Sequence, residues 1–168
     1  RTLDSEEKIA KLREFVASDP VTGLLYWCKP GKGRKVGKEI SPIPTSHGYK
    51  YFITQGQQYK VHRVVWAFMY GPIPENMQID HINGIRHDNR IENLRLVSNQ
   101  INCQNKRKPQ PNTATGILGV AWYKSRGLYT AQVKLNGKTH HLGYFKDPME
   151  AHQVYLEAKR RLHAGCTL

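Results

Sequence analysis

The chain has 168 residues, with 26 Lys and Arg against 13 Asp and Glu, giving a formal net charge of +13. That length allows one ordinary domain or two small ones, and the charge exceeds the magnitude of about 2 to 8 that solubility asks of a small domain. Basic residues outnumber acidic ones in every part, 12 to 7 over residues 1–76, 6 to 3 over 77–110 and 8 to 3 over 111–168, so a polyanion can be engaged along the whole length; nucleic acid fits better than an anionic membrane surface.

Cys28, Cys103 and Cys166 are far apart and form no CxxC pair. This excludes a disulfide framework and a cysteine-based zinc site and points to a reducing compartment. No apolar run approaches the roughly 18 residues of a membrane span, and no secretory signal is expected at the start of the chain.

The first piece, residues 1 to 76, opens with a predicted helix. Asp4 is placed to cap it, Glu7 completes a capping-box spacing, and Ile9, Leu12, Phe15 and Val16 share one face. Asp19-Pro20 ends it. Short strands are expected at 24–27, 49–53 and 58–61, separated by the turn-rich GKGRKVGK, SPIPTSHG and TQGQ. VHRVVWAFMYG reads as a short buried helix closed by Gly71. This piece is expected to be a small β-rich support, with His62-Arg63 serving the core or touching a backbone phosphate.

The second piece is IDHINGIRHDNRIENLRLVSNQINCQN, polar and crowded with Asp, His and Asn. MQIDH at 77–81 reads as a strand, NGIRHDN as a loop with an Asn-Gly turn, LRLV at 94–97 as a second strand. Ser98 can cap a helix running from Asn99 into the basic cluster Lys106-Arg107-Lys108. Such a unit buries little surface, so something else must fix its geometry. Asp80 with a second oxygen from the following helix suits a divalent ion that keeps waters and a phosphate, and His81 titrates where it can take a proton from water. Neighbours on a strand face opposite ways, so a twist or bulge at the strand end is expected to let both serve one phosphate. Each residue has a plainer reading too: Asp-His pairs arise by chance, Asn83, Asn89 and Asn93 suit turns, Asn102 can be a solvated helix residue, and His87 reads as a solvated loop residue.

Taken together, Asp80-His81, Asn93 twelve positions on and Asn102 twenty-one positions on, with the flanking HRVVWAFMYGPIP, DNRIENLRLV and NQINCQN, resemble the HNH motif in the variant of phage and intron homing endonucleases. The resemblance covers about 45 residues and implies a ββα-metal fold. It implies that His81 is the general base, that Asp80 and Asn102 hold one Mg²⁺ or Mn²⁺ against the scissile phosphate, and that Asn93 orients His81 by a hydrogen bond. Asn102 stands where a final His is common; an amide oxygen suits Mg²⁺, while Zn²⁺ loses its preferred nitrogen.

The third piece, from about 113, has a different pattern. GVAWYK, LYTAQVKL and KTHHLGYF read as three strands, with Asn136-Gly137 as the turn between the last two. A helix follows, capped by Asp147 with Pro148 in its first turn, and Met149, Val154, Tyr155, Ala158 and Leu162 line one side. On the middle strand Tyr129, Ala131, Val133 and Leu135 share one face and Thr130, Gln132 and Lys134 the other. GVAWY, YTAQV, HLGYF and EAHQVYLEA resemble an AP2-type DNA-binding domain, which implies a sheet laid in the major groove. On that resemblance Tyr123, Lys124, Arg126, Thr130, Gln132, Lys134 and His141 lie near DNA, joined by Lys106, Arg107 and Lys108.

The expected fold class is therefore α+β: a nuclease domain over 1–108 with its ββα-metal core at about 77–107, a linker over 109–118, and an AP2-like domain over 119–168. The expected function is metal-dependent, site-specific hydrolysis of double-stranded DNA by a nicking homing endonuclease, with no membrane partner and no small-molecule cofactor. With one metal centre a monomer is expected to nick; double-strand cleavage would need a dimer or a second visit. The expected setting is the cytoplasm of a bacterial host, from a phage gene, without secretion. Two other readings remain open on the sequence, a non-catalytic DNA-binding regulator and a structure-directed phage nuclease.

Overall fold

The computed structural model describes residues 3–105, 108–109 and 113–167. The fold mixes small antiparallel sheets with helices, and it divides into two compact units, Arg1–Asn99 and Gln100–Leu168.

In the first unit, α1 (Glu6–Arg13) begins at Ser5, whose Oγ accepts a hydrogen bond from the Lys8 amide. Asp4, the expected cap, instead accepts from Lys8 Nζ. Glu6 and Glu7 in the first turn and Lys11 and Arg13 in the last match the helix dipole. The helix stops earlier than the apolar spacing suggested: Val16 starts strand β1 (Val16–Asp19) and is buried there. β1 pairs antiparallel with β2 (Leu24–Trp27), and Asp19 ties the intervening turn by accepting from the Val21 amide and the Thr22 hydroxyl.

A second antiparallel sheet runs in the order β3 (Ile43–Pro44), β4 (Lys50–Thr54), β5 (Gln57–Lys60). α2 (Val61–Tyr70) follows directly, ends at Gly71, and packs on α1 and on strands of both sheets. Its Val64, Val65 and Ala67 are fully enclosed with Ile9, Leu12, Leu25 and Phe52, so this helix is the centre of the core. β6 (Met77–His81) then pairs antiparallel with β7 (Leu94–Ser98), reached through a 3-10 turn at Ile91–Asn93. Ile79 and Leu94 anchor this ribbon in the same core. Pairing runs without a shift through Asp80↔Arg95 and His81↔Leu94, so of the twist or bulge expected at the strand end, a bulge is not in this register.

α3 (Asn99–Gln104) starts at the last residue of the first unit and continues into the second. Gln100 Nε2 donates to Asn136 Oδ1, the Gly165 amide donates to Gln104 Oε1, and Thr167 Oγ1 donates to Asn105 Oδ1. The helix ends at Gln104, short of the basic cluster; Lys106 and Arg107 lie outside the described residues.

β8 (Val120–Tyr123), β9 (Leu128–Leu135) and β10 (Lys138–Phe145) form an antiparallel sheet in the order β10-β9-β8. Asn136 and Gly137 both have positive φ, 49° and 80°, as a tight two-residue hairpin requires. α4 (Pro148–Leu162) starts with Asp147 Oδ1 accepting from the Met149 amide. Ala151, Tyr155 and Ala158 pack on Val120, Ala131 and Val133. Met149, placed on the apolar side by its spacing, is in the first turn of α4 and 54% exposed, while Lys159 is fully buried on the packed side.

Candidate active site

The site in the first unit is built at the end of β6. Asp80 and His81 are both buried, 8% and 3% exposed. Their burial follows from position: β6 is held in the core by Ile79 and covered by β7. Arg95, directly across the ribbon from Asp80, donates from Nε and Nη2 to Asp80 Oδ2 at 3.0 and 2.8 Å. Burying a carboxylate is costly unless it is hydrogen-bonded and paired in this way.

The loop from Ile82 to Arg90 is held by its own side chains. Asn93 Oδ1 accepts from the Asn83 amide at 2.9 Å, and Asn93 Nδ2 donates to the Asp88 carbonyl at 2.8 Å. Asn83 Nδ2 donates to Asp88 Oδ2, while Arg90 grips both Asp88 oxygens, each at 2.9 Å. The Arg90 guanidinium, helped by Asn83, holds the Asp88 carboxyl down to about 2. The loop is thus a rigid ring of hydrogen bonds around a charged centre.

That ring delivers Asn89 to the histidine. His81 Nε2 lies 3.2 Å from Asn89 Oδ1. Asn93, the residue expected to orient His81, is engaged with the loop backbone, and Asn89, four residues earlier, makes this contact. An oxygen acceptor requires the proton on Nε2, which leaves the lone pair on Nδ1. Burial pushes His81 below the ordinary histidine value and Arg86 adds to this; the Asn89 hydrogen bond, Asp80 and Asp88 oppose it.

Two aromatic rings lie beside His81. The His62 ring, from the first turn of α2, sits edge-on at 5.0 Å between centroids, and the Tyr49 ring lies 5.8 Å away. His62 is 4% exposed, with Nδ1 lacking a hydrogen-bond partner. Burial drives it well below the ordinary value, so it is neutral. His87 is exposed, as its loop position suggested.

Asn102 lies on α3, half-buried, and its carbonyl accepts from the Asn105 amide. The donor set expected for a metal, one carboxylate oxygen from Asp80 and one amide oxygen from Asn102, is all oxygen and fits a hard cation. Among the described residues there is no group of three or more His, Cys, Asp or Glu able to hold a metal.

In the second unit, Tyr123, Lys124, Arg126, Gln132, Lys134 and His141 are all exposed, and Lys108 is exposed as well. Thr130 is the exception: it is 2% exposed and its Oγ1 has no hydrogen-bond partner, so its side chain is not presented to DNA. Tyr144, absent from the expected set, joins this face. Its ring lies 5.2 Å from Tyr123 and 4.3 Å from His141, with Arg126 over it at 4.4 Å. A register shift between His141 and Gly143 brings these residues together; simple alternation would put positions 141 and 144 on opposite faces.

Comparison with known proteins places this geometry. A family model described as HNH endonuclease matches residues 59–104, a span that contains α2, β6, the loop, β7 and α3. Protein 3.8 of Escherichia phage T7 is 34% identical over 102 residues, covering 61% of this chain and 83% of its own. An uncharacterized HNH endonuclease, L560 of Acanthamoeba polyphaga mimivirus, is 28% identical over 134 residues, covering 74% and 68%. Among solved structures, the HNH homing endonuclease I-HmuI matches with a TM-score of 0.43 and 27% identity over 54% of this chain; the match spans about half, 51%, of that protein. Residues 59–104 thus carry an HNH endonuclease domain, in a chain that is similar to Protein 3.8 over most of that phage protein's length.

Proposed function

We propose that this protein is a metal-dependent DNA endonuclease that hydrolyses a phosphodiester bond, acting as a nicking enzyme of the homing type. The observation that carries the reading is the His81–Asn89 contact beside the buried Asp80, inside the segment matched by the family.

In the proposed reaction His81 Nδ1 takes a proton from water as the water oxygen attacks phosphorus. The bond from phosphorus to the 3′ oxygen breaks, and the departing oxygen takes a proton from solvent water, leaving a 5′ phosphate and a 3′ hydroxyl. Asn89 keeps the proton on Nε2 throughout, so the ring has one basic nitrogen and one orientation. The imidazolium formed after proton transfer is favoured by the Asp80 and Asp88 charges. Asp80 and Asn102 would hold one Mg²⁺ or Mn²⁺, which supplies neutralisation of charge developing on the phosphate and leaving oxygen. Arg95 fixes the carboxylate that would serve as ligand, a supporting role of the kind that tunes metal affinity. Asn93 acts by stiffening the loop.

The second unit is proposed to act as an AP2-like module, presenting Tyr123, Lys124, Arg126, Gln132, Lys134, His141 and Tyr144 to double-stranded DNA. Lys106, Arg107 and Lys108, with the stretch to residue 118, would follow the phosphate backbone between a nuclease part over 1–108 and a binding part over 119–168. A monomer is the proposed acting form.

The reading is tested with supercoiled DNA carrying segments of the source genome, incubated with Mg²⁺ or with EDTA. Conversion to open circles in Mg²⁺ alone, with ends that accept ligation directly, supports it. Binding without cutting under Mg²⁺ and Mn²⁺ alike would instead make the protein a DNA-binding regulator.

A further inference from the structure

Of the three arginines in and beside the active-site loop, two are neutralised. Arg95 is paired with Asp80, and Arg90 with Asp88 and Glu92. Arg86 has no carboxylate partner among the described residues. Its guanidinium donates from Nη1 to the His47 carbonyl at 2.8 Å and lies 5.1 Å from the centroid of the Tyr49 ring. Lys60 Nζ lies over the same ring at 5.3 Å and is likewise without a carboxylate among those residues. Both cations are exposed, yet each is held near the ring that also packs against His81 and His62.

The turn that presents Tyr49 is itself firmly built. The Thr45 amide donates to the Tyr49 carbonyl at 2.8 Å, the Gly48 amide to the Thr45 carbonyl at 2.9 Å, and Thr45 Oγ1 accepts from the Tyr49 amide at 3.1 Å. Arg86 bridges this turn to the active-site loop, so turn, loop and β5 end converge on one aromatic ring. Ordinary surface lysines and arginines spend side-chain entropy to hold one geometry. Here cation–π contacts and a backbone hydrogen bond have fixed that geometry in advance.

We infer that Tyr49, Lys60 and Arg86 form a strand clamp that grips the DNA backbone beside the phosphate cut at His81. The inference rests on the nuclease reading and adds a substrate-contacting surface to it. Two unneutralised cations match two adjacent phosphates, and the half-exposed Tyr49 ring that both approach offers an apolar surface to the sugar. The clamp lies on the same unit as His81, so it fixes the strand relative to the base.

The test measures binding of a 40-base-pair duplex in EDTA, by fluorescence anisotropy, as a function of salt. The wild type is compared with Lys60→Gln/Arg86→Gln and with Lys8→Gln/Lys11→Gln, which removes two charges from α1. Each phosphate contact contributes about 0.9 to the slope of log affinity against log salt. The clamp variant is expected to be shallower by about 1.8, or about 60-fold weaker at 0.1 M salt for affinities that converge at 1 M. The α1 variant is expected to change the slope by less than about 0.5. A clamp variant with the wild-type slope, or with no more loss than the α1 variant, overturns the inference. Cleavage of the same duplex population in Mg²⁺ is scored separately: loss of slope with no cutting by the wild type leaves a DNA clamp and removes the nuclease reading.

Discussion

Asn89 Oδ1 stands 3.2 Å from Nε2 of His81, eight residues before it along the chain. With the Asn89 oxygen as acceptor, the pair puts the proton on Nε2 and the lone pair on Nδ1. Replacing Asn89 with Ala frees the ring to rotate and to exchange tautomers, so single-turnover cleavage is expected to fall about 10- to 100-fold. DNA affinity in EDTA is expected to stay within about twofold, because Asn89 is buried and holds no charge to lose to the phosphates. A variant that cuts at the wild-type rate would remove Asn89 from the machinery.

Asn93 has a different job and a different signature. Its side chain satisfies a backbone amide and a backbone carbonyl of the loop, so Asn93→Ala is expected to cost about 2 kcal/mol of stability. Chemical denaturation of the two alanine variants side by side separates the roles: Asn93→Ala shifts the midpoint strongly, and Asn89→Ala shifts it less.

Gly23 reaches the active site from the opposite end of the chain. It has φ of +71°, and a Cβ there would lie 2.7 Å from both the Arg90 nitrogen and the Asn89 carbonyl oxygen. The turn after β1 also accepts from the loop, the Ile91 amide donating to the Pro20 carbonyl at 2.8 Å. Gly23→Ala must therefore push the segment that positions Asn89. Gly33 has nearly the same φ, +72°, with open space around it, so Gly33→Ala reports the backbone strain alone, about 1 kcal/mol. Gly23→Ala is expected to lose more stability than this and to cut more slowly at saturating DNA; equal behaviour of the two variants would show that the turn does not buttress the loop.

His62 makes stability depend on pH. Its folded pKa is held well below the usual 6.5 by burial, so below about 6.5 the unfolded chain takes up a proton that the folded chain does not. Unfolding free energy is expected to fall as pH drops, at up to about 1.4 kcal/mol per pH unit from this residue. His62→Phe, which keeps an aromatic ring in the space, is expected to flatten the profile between pH 6.5 and 5. An unchanged slope would mean that His62 protonates in place.

Thr130 offers a prediction of opposite sign. Its hydroxyl is buried and unbonded on the sheet face of the second unit, so Thr130→Val keeps the shape and removes a desolvated group. Stability is expected to rise by about 1 kcal/mol, with DNA affinity unchanged, measured by thermal unfolding and anisotropy on the same samples.

What the sequence made legible was local. Strand β9 and strand β10 begin and end where alternation and the Asn136-Gly137 turn placed them, and β6 and β7 bracket the loop as expected. The end of α1 was misread because Val16 continues the helical spacing while packing as a strand residue. Within the loop, three asparagines share the same local preference for turns, and only the closed ring through Asp88 and Arg90 decides that Asn89 meets His81. Tyr144 was hidden by a register shift that alternation cannot express. His62 and Tyr49 meet His81 through tertiary packing of α2 and the turn before β4, which no spacing in the chain encodes.

The central claim is that His81 activates water in a metal-dependent nuclease. The most direct test is single-turnover cleavage of a duplex carrying the mapped wild-type cut site, in Mg²⁺, by the wild type and by His81→Ala, with affinity for the same duplex measured in EDTA. Loss of a general base is expected to slow cleavage by about 10²- to 10⁴-fold while affinity stays within about threefold. Cleavage at the wild-type rate by His81→Ala would contradict the account.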